Sequence, residues 1–293
     1  MTGFPLTTKQ LKQAAHHTRV AAGRVAARPT QSLRSMPDYL IIGGQRCGTT
    51  SLHNYLIQHP GVLPARFTKG VHWFDVAFDR SPGWYRGHFP LDARRRQIGQ
   101  RLGYGPVTGE GSPYYLFHPE VPRRVLQQIP DCRMIAVLRD PVERAWSAYH
   151  HERKRGFEDL DFEAALDAEP DRLAGQGARL ASPGGHSYDH LHHGYVARGR
   201  YAEQLERWYR QFPLDQVLIV FSDDLEQRPA ETTSRVQQFL GLPVVEPDVT
   251  RQWNKQHNST LDPRLAERLR KNFAEPDRQL SDLLGRDLPW AAP

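Results

Sequence analysis

The feature that most constrains this chain is a glycine loop between an apolar strand and a helix. Residues 39–42 form an apolar run that predicts a short buried strand, and apolar residues at helical spacing follow from Leu52. Between them, Gly43 and Gly48 are separated by four residues. This is the spacing of loops whose backbone N–H groups, with the next helix N-terminus, surround a phosphate. The chain is therefore predicted to be an α/β protein that binds a phosphate-like anion.

The side chains of this loop differ from those of a nucleotide kinase. Such kinases need Lys and then Ser or Thr after the second glycine to hold phosphates and magnesium, whereas Thr49 occupies the Lys position here. The loop cation is Arg46, and Thr49, Thr50 and Ser51 supply hydroxyl groups. We expect an anion site without an evident magnesium ligand. A P-loop nucleotide kinase and a simple glycine turn remain alternative interpretations.

A second segment with the same chemistry begins at Arg139. It directly follows an apolar run at residues 134–138 that predicts a strand, and Asp140 has the properties of a helix N-cap. Arg139 therefore leaves the carboxyl end of a strand, and Ser147 lies two turns into the helix. An arginine and a hydroxyl beside a helix N-terminus make a second anion site. The alternative is a surface ion pair of Arg139 with Asp140 or Glu143.

The remaining pattern predicts one α/β domain. Short β-rich runs alternate with helices, which implies a mainly parallel sheet flanked by helices on both faces. Such sheets bind ligands at the carboxyl ends of their strands. The other predicted elements are helices at residues 119–128 and 229–240, a strand at 217–221, and a C-terminal helix with an apolar stripe from Leu261 to Phe273. We expect an arm at residues 1–37 and the domain at 38–293.

The net charge of +6 is concentrated in the arm. Residues 1–37 contain six basic residues and no acid, which leaves 33 basic and 33 acidic residues for 38–293. A neutral body disfavours nucleic-acid binding. The arm is expected to be flexible and solvated, and a weak contact with an anionic membrane surface is the alternative.

Cysteine content and amino-acid bias bear on the compartment. The two cysteines, Cys47 and Cys132, form no CxxC pair, so we expect a reducing, cytoplasmic location. No apolar run approaches the length of a membrane span. Most of the basic residues are arginine, a bias that we expect of a high-GC bacterial genome.

Four motifs in order resemble the sulfotransferases that use 3′-phosphoadenosine 5′-phosphosulfate (PAPS). The resemblance is to the branch that contains heparan sulfate sulfotransferases and their bacterial relatives. The motifs are the glycine loop, TKGVHWFD at residues 68–75, GEGSPYYLFHP at 109–119, and RDPVERAWSAY from Arg139. The resemblance covers about Asp38 to Trp290. It implies a P-loop-like fold and sulfuryl transfer from PAPS to a hydroxyl or amine of an acceptor, which we expect to be a carbohydrate or glycolipid.

The resemblance also implies the PAPS-binding residues. The family's glycine loop binds the 5′-phosphosulfate, which implicates Gly43, Arg46, Cys47, Gly48, Thr49, Thr50 and Ser51. The Arg and Ser of the last motif bind the 3′-phosphate, which falls on Arg139 and Ser147. Lys255 is similar to a basic residue in the family's cofactor-covering loop. The loop lysine of many members is Arg46 here.

Catalysis involves a departure from the family pattern. Heparan-type enzymes carry a Glu as the acceptor base between the residues matching Lys69 and Val71, and this chain has Gly70 there. We expect His72 to be the base and Glu110 to be the second candidate, while Arg46 and Lys69 neutralise charge on the sulfonate and the leaving phosphate. The alternative for His72 is packing within the aromatic segment that follows it. Gly70 also leaves open a noncatalytic protein that binds a nucleotide or an anionic glycan.

Two further groups of side chains have structural interpretations. Histidines 186, 190, 192 and 193 are dense, but they lie in a Gly, Ser and Pro-rich loop without a carboxylate pattern, so no metal is expected. Trp73, Trp84 and Tyr85 could stack on sugar rings, but a position in the core is the favoured interpretation.

Overall fold

A five-stranded parallel sheet forms the centre of the computed structural model, which describes residues 22–23, 25–182, 184–251 and 260–291. The strands are β1 (Tyr39–Gly43), β2 (Val62–Pro64), β3 (Val107–Gly111), β4 (Arg133–Leu138) and β5 (Val217–Phe221). Their order across the sheet is β2-β3-β1-β4-β5, and every neighbouring pair is parallel. The predicted parallel α/β sheet is confirmed.

Helices follow or separate the strands along the chain. They are α1 (Thr49–Leu56), α2 (Pro82–Arg86), α3 (Asp92–Leu102), α4 (Val121–Gln128), α5 (Pro141–Arg155), α6 (Phe162–Leu173), α7 (Gln176–Ala181), α8 (Tyr188–His192), α9 (Tyr201–Tyr209), α10 (Ser222–Gln227), α11 (Pro229–Phe239) and α12 (Pro263–Leu284). Short 3-10 turns lie at Arg28–Leu33, Ala197–Gly199 and Leu214–Gln216. None of these helices combines the length and apolarity needed to cross a bilayer.

Apolar side chains cover both faces of the sheet. Successive side chains of a strand point to opposite faces. In β1, Leu40 and Ile42 belong to one core cluster, which also contains buried residues of α4, α9 and α12. Tyr39 and Ile41 belong to a second cluster, with buried residues of α1 and α11. Helices therefore pack on both faces, as predicted.

The parallel arrangement brings the carboxyl ends of the strands to one edge. β1 ends at Gly43, β3 at Gly111, β4 at Leu138 and β5 at Phe221. The segments that follow these four ends contain the glycine loop, Ser112, Arg139 and Ser222. Because ligands bind at this edge of open parallel sheets, the topology positions the motifs for a common site.

Strands β2 and β3 were not predicted from the sequence. The β3 segment reads VTGEG and has a polar or glycine residue at four of its five positions. It is nevertheless buried, because Thr108 Oγ1 donates to the Leu63 carbonyl at 2.5 Å and the Glu110 carboxylate is enclosed by hydrogen-bond donors. Tertiary contacts therefore override a weak strand signal.

The packed part of the chain begins before the predicted boundary at residue 37. The Arg34 guanidinium donates to the Phe89 carbonyl at 2.7 Å, and the Ser35 hydroxyl donates to Asp92 at 2.5 Å. Arg34 and Ser35 are both buried. Residues 1–21 lie outside the described residues, so the flexibility of the arm and its membrane contact stay predictions.

The core of α9 gives a direct stability prediction. Leu205 is fully buried under the sheet, so Leu205→Ala removes apolar contacts and leaves a cavity. We expect a loss of about 2–5 kcal/mol in the free energy of unfolding, measured by urea denaturation. Leu214→Ala is the matched control, because Leu214 is 69% exposed, and it should change stability by about 0.5 kcal/mol or less. Equal losses in the two variants would contradict this packing.

Candidate functional site

The glycine loop ends in a helix N-terminus prepared for an anion. Gly48 is the N-cap residue of α1, with φ of 91°, in the left-handed region that glycine adopts at low cost. Because this N-cap residue is glycine, it supplies no side-chain cap to the helix. Gly43 is needed for a different reason, since a Cβ there would lie 2.5 Å from Leu116 Cβ. The partial positive charge and N–H groups at the start of α1 therefore face the loop without a capping oxygen from the N-cap residue.

The loop forms one wall of a cleft of about 910 Å³. The predicted loop residues in its lining are Arg46, Cys47, Gly48, Thr49, Thr50 and Ser51. Lys69, His72, Arg139 and Ser147 line the same cleft. Most of the predicted site is therefore brought together, although its members are distributed over more than 100 residues of sequence.

Lys69 lies against the hydroxyl groups of the loop. Its Nζ donates to Thr49 Oγ1 at 2.8 Å and to Thr50 Oγ1 at 3.3 Å. Burial lowers the pKa of Lys69 to about 7, although the Glu110 carboxylate opposes this change. Gly111 makes room for the lysine, because a Cβ at that position would lie 2.9 Å from Lys69 Cε. A bound anion would favour the charged ammonium form.

The two anion sites predicted separately share this cleft. Arg46, with φ of 70°, donates from Nε to Ser147 Oγ at 3.1 Å, so the glycine loop contacts the second motif directly. Burial lowers the pKa of Arg46, and the nearby charge of Arg139 lowers it further. Two guanidinium groups are thus held close enough to repel each other, which favours an anion between or beside them.

Arg139 forms the ion pair that the sequence left as an alternative. Its Nη2 lies 2.6 Å from Glu143 Oε2 while its side chain also lines the cleft. Burial acts to lower the pKa of Arg139, but Glu143 outweighs it and the pKa is raised. Asp140 caps α5, as predicted, by accepting from the Val142 N–H at 2.8 Å. The ion pair and the cleft position of Arg139 therefore coexist.

His72 points into the cleft and is oriented by a buried carboxylate. Its Nδ1 lies 2.8 Å from Asp75 Oδ2, and the imidazole is 39% exposed while the Asp75 side chain is buried. Burial acts to lower the pKa of His72, but Asp75 outweighs burial and the pKa is raised. Because Asp75 engages Nδ1, Nε2 is the ring nitrogen left to face a ligand. His72 is thus a cleft residue, while Trp73 beside it lies in the core.

Glu110 is buried behind the cleft wall and does not line it. Oε1 accepts from the hydroxyls of Tyr85 at 3.1 Å and Tyr115 at 2.7 Å. Oε2 accepts from the Ser112 hydroxyl at 2.6 Å and the Val71 N–H at 2.8 Å. Burial raises the pKa of Glu110, while the hydrogen bonds from Ser112, Tyr115 and the Val71 N–H oppose the rise. The geometry gives Glu110 an organising position rather than contact with an acceptor.

Gly70 lies where three groups approach the backbone. A Cβ there would be 2.7 Å from the Gly111 carbonyl oxygen, 3.0 Å from Ser112 Oγ and 3.3 Å from His72 Nε2. The absence of a side chain therefore keeps room beside the imidazole. The residue that departs from the family pattern is fitted to the local packing of His72.

The histidine-rich segment has partners within the protein. His190 Nδ1 lies 2.6 Å from the Tyr114 hydroxyl, His192 Nδ1 is 2.9 Å from Glu152, and His193 Nδ1 is 2.8 Å from Asp189. Among the described residues no group of three or more His, Cys, Asp or Glu side chains could hold a metal ion.

Several predicted residues occupy other environments. Trp73 and Tyr85 stack in the core with ring centroids 4.5 Å apart, which confirms the core interpretation for both. Cys47 is buried with Sγ 3.7 Å from the Tyr201 hydroxyl, and burial raises the pKa of its thiol. Lys255 lies outside the described residues, so its predicted contact stays a prediction.

Sequence reasoning gave no role to some residues of the cleft wall. Gln45 connects two distant segments, since its Nε2 donates to Glu152 at 3.2 Å and its Oε1 accepts from the buried Arg198. Tyr114 and Leu191 also line the cleft. The spacing of three residues between His72 and Asp75 was the sequence feature that could have predicted their pairing. No feature of the sequence near Gln45 indicated its contacts with Glu152 and Arg198.

Crowding around Gly70 can be tested by adding one methyl group. Gly70→Ala should lower the free energy of unfolding by about 1–3 kcal/mol, because the new Cβ forces the Gly111 carbonyl or His72 to move. Gly105→Ala is the control, since a Cβ at Gly105 meets nothing within 4 Å. Thermal and urea denaturation measure both variants. A Gly70→Ala protein as stable as the control would show that position 70 has more space than described.

Comparisons with known proteins agree on one family. Residues 36–277 match the sulfotransferase domain family. Mouse heparan sulfate glucosamine 3-O-sulfotransferase 6 is 33% identical over 220 residues, covering 73% of this chain and 55% of the relative. Human bifunctional heparan sulfate N-deacetylase/N-sulfotransferase 3 is 31% identical over 212 residues, covering 71% of this chain and 22% of the relative. The chain thus spans about half or less of the length of these two relatives.

A solved structure gives the same result. The crystal structure of a sulfotransferase from Alicyclobacillus acidocaldarius is 28% identical, with a TM-score of 0.65, and the match covers 87% of this chain and 98% of that chain. The fold, the order of the motifs and the matched residues lead to the same conclusion, that this chain belongs to the sulfotransferase domain family.

Proposed function

We propose that this protein transfers a sulfuryl group from PAPS to a hydroxyl or amine of a carbohydrate or glycolipid acceptor. The observation that carries this proposal is that one cleft contains the helix N-terminus, a group of cationic side chains and the imidazole of His72. The cations used in the proposal are Arg46, Lys69 and Arg139, and the cleft is also lined by Arg155, Arg198 and Arg270. Family membership supports the reaction class.

The donor groups in the cleft fit the two charged ends of PAPS. The uncapped start of α1, with the hydroxyls of Thr49, Thr50 and Ser51, suits the 5′-phosphosulfate. Arg139 and Ser147 suit the 3′-phosphate. Arg46 lies between the two groups, because it contacts Ser147 from the glycine loop. Bound PAPS would supply the sulfuryl group and the phosphate leaving group.

His72 acts as the general base in this proposal. Its Nε2 takes the proton of the acceptor hydroxyl or amine as that oxygen or nitrogen forms its bond to sulfur. The bond between sulfur and the phosphate oxygen breaks, and Lys69 and Arg46 stabilise the charge that develops there. Asp75 holds the ring orientation and stabilises the imidazolium. A positioned base contributes about 10²- to 10⁴-fold in rate.

Glu110 is proposed as a positioning residue instead of the base. Its two oxygens already accept from Tyr85, Tyr115, Ser112 and the Val71 N–H. A proton from the acceptor would have to reach a carboxylate that does not line the cleft. His72 meets the acceptor directly, and this difference favours it.

The proposal includes a carbohydrate acceptor and a reducing compartment. Two of the similar proteins are named for heparan sulfate, which favours a carbohydrate acceptor. Val76, Pro113, Tyr114 and Leu191 provide apolar and aromatic surface in the same cleft for such a ligand. Both cysteines are buried and unpaired, which favours a reducing compartment such as the cytoplasm.

Nucleotide binding tests the proposed 3′-phosphate site. Arg139→Ala should weaken binding of adenosine 3′,5′-bisphosphate by about 10- to 100-fold, since charge-assisted hydrogen bonds are lost. Binding of adenosine 5′-phosphate should remain within about twofold, because that nucleotide lacks the 3′-phosphate. Isothermal titration calorimetry measures both affinities. Arg123→Ala, which breaks an ion pair of 2.9 Å with Glu120 outside the cleft, is the matched control. Equal weakening for both nucleotides would contradict this assignment.

Transfer of labelled sulfate from PAPS to a glycan panel tests the reaction and its base. His72→Ala should lower kcat by about 10²- to 10⁴-fold while nucleotide binding is retained. His186→Ala is the control, since His186 is exposed and does not line the cleft. An unchanged rate in His72→Ala would remove His72 from the mechanism. Tight bisphosphate binding without turnover on any acceptor would favour the noncatalytic alternative, and magnesium-dependent ATP binding would favour the kinase.

The pH dependence of kcat should show the influence of Asp75. His72 must be unprotonated to accept a proton, and its pKa is raised, so the rate should increase with pH through a midpoint above the ordinary histidine value of about 6.5. Asp75→Asn removes the charge that raises this pKa. The pH profile of kcat in this variant should therefore have a lower plateau value and a midpoint at lower pH. A midpoint that does not move would exclude His72 as the group being titrated.

A further inference from the structure

The contact between Arg139 and Glu143 uses two guanidinium donors on one carboxylate oxygen. Arg139 Nε donates to Glu143 Oε2 at 3.1 Å, and Nη2 donates to the same oxygen at 2.6 Å. One edge of the guanidinium is therefore directed at Glu143. A guanidinium binds phosphate through such paired N–H groups. Glu143 thus occupies donors that a phosphate at Arg139 would use.

Two other cations that line the cleft contact hydroxyl groups in the same region. Arg46 donates to the Ser147 hydroxyl, and Lys69 donates to the hydroxyls of Thr49 and Thr50. A hydroxyl can rotate and donate to a phosphate, so these contacts can persist when an anion binds. An ionised Glu can only accept, and it repels a phosphate. Among the described residues that line the cleft, Glu143 and Glu226 are the carboxylates.

We propose that Glu143 competes with the 3′-phosphate for Arg139 and thereby sets the affinity for the nucleotide. This inference rests on the proposed function, since it takes Arg139 as the 3′-phosphate ligand. The Glu143 side chain is 58% exposed, so it can turn into solvent when a phosphate takes its place. Exchange of partners costs little, because ion pairs at exposed positions contribute little to stability.

The competition has a consequence for turnover. The bisphosphate product keeps both phosphates, so the cations that hold the donor also retain the product. Product release limits the rate of many enzymes. A carboxylate that returns to Arg139 lowers the free energy of the nucleotide-free protein and repels the departing phosphate. Glu143 therefore favours release of the product at the expense of binding strength.

A supporting role of Glu143 predicts the opposite change in nucleotide affinity from a competing role. If Glu143 served to hold the Arg139 guanidinium in place for the phosphate, its removal would weaken nucleotide binding. If Glu143 competes, its removal strengthens binding. The sign of the change in affinity decides between these two roles.

The test compares two nucleotides in the Glu143→Gln variant by isothermal titration calorimetry. We expect the dissociation constant for adenosine 3′,5′-bisphosphate to fall by about threefold to tenfold, since the competing charge and its repulsion are removed. The dissociation constant for adenosine 5′-phosphate should remain within about twofold of the wild-type value. Unchanged or weaker binding of the bisphosphate would overturn the inference.

Two further variants separate competition from general charge effects. Glu231→Gln is the matched control, because Glu231 is an exposed acid in the first turn of α11, pairs with Arg228 at 3.4 Å and lies outside the cleft. It should leave both affinities unchanged. In the Arg139→Ala background, Glu143→Gln should lose most of its effect on bisphosphate binding, because only the direct repulsion between Glu143 and the phosphate is left to remove. An effect as large as in the wild-type background would show that Glu143 does not act by competing for Arg139.

Bisphosphate binding by the wild-type protein separates a failure of the proposed function from a failure of the role of Glu143. A wild-type chain that binds no adenosine 3′,5′-bisphosphate contradicts the proposed function, and this inference fails with it. A wild-type chain that binds the bisphosphate, with no tighter binding in Glu143→Gln, contradicts the role of Glu143 alone.

Discussion

The buried carboxylate of Glu110 joins the segments on which the site depends. It accepts hydrogen bonds from the hydroxyls of Tyr85, Tyr115 and Ser112 and from the Val71 N–H. These groups come from α2, from the segment after β3 and from the segment that carries Lys69 and His72. Removing the carboxylate would leave four buried donors without their acceptor, and each such group costs about 1–3 kcal/mol. One interaction therefore fixes the segment after Lys69 against the carboxyl end of β3.

The hydrogen bonds around Glu110 also determine the position of His72. The His72 N–H donates to Ser112 Oγ at 3.0 Å, and Ser112 in turn donates to Glu110. His72 has φ of 57°, a conformation that costs a non-glycine residue about 1–3 kcal/mol and persists only when its surroundings hold it. Ser112 holds its backbone, and Asp75 holds its ring. The imidazole is thus directed into the cleft by contacts on both sides, which is what a positioned base requires.

The sequence was sufficient to predict the parallel sheet, the edge at which the cleft lies and the loop and strand-end residues that meet in it. Strands β1, β4 and β5 and helices α1, α5 and α11 are dictated by apolar runs, glycines and caps close in sequence, so local chemistry identifies them. Strand β3 is different, because its polar residues become strand residues only when partners such as Leu63 and Tyr115 bury them. Contacts over long sequence separation leave no local signal.

The roles of individual site residues divide in the same way. The sequence by itself determined the glycine loop, the cationic residues and the replacement of the family's Glu by Gly70 with His72 two residues on, because those properties depend on residue type and spacing. Only the tertiary structure decided that Glu110 is enclosed while His72 is accessible, and that Glu143 lies on Arg139. Burial and hydrogen-bond partners depend on which surfaces meet when the sheet and helices pack, and no spacing along the chain specifies them.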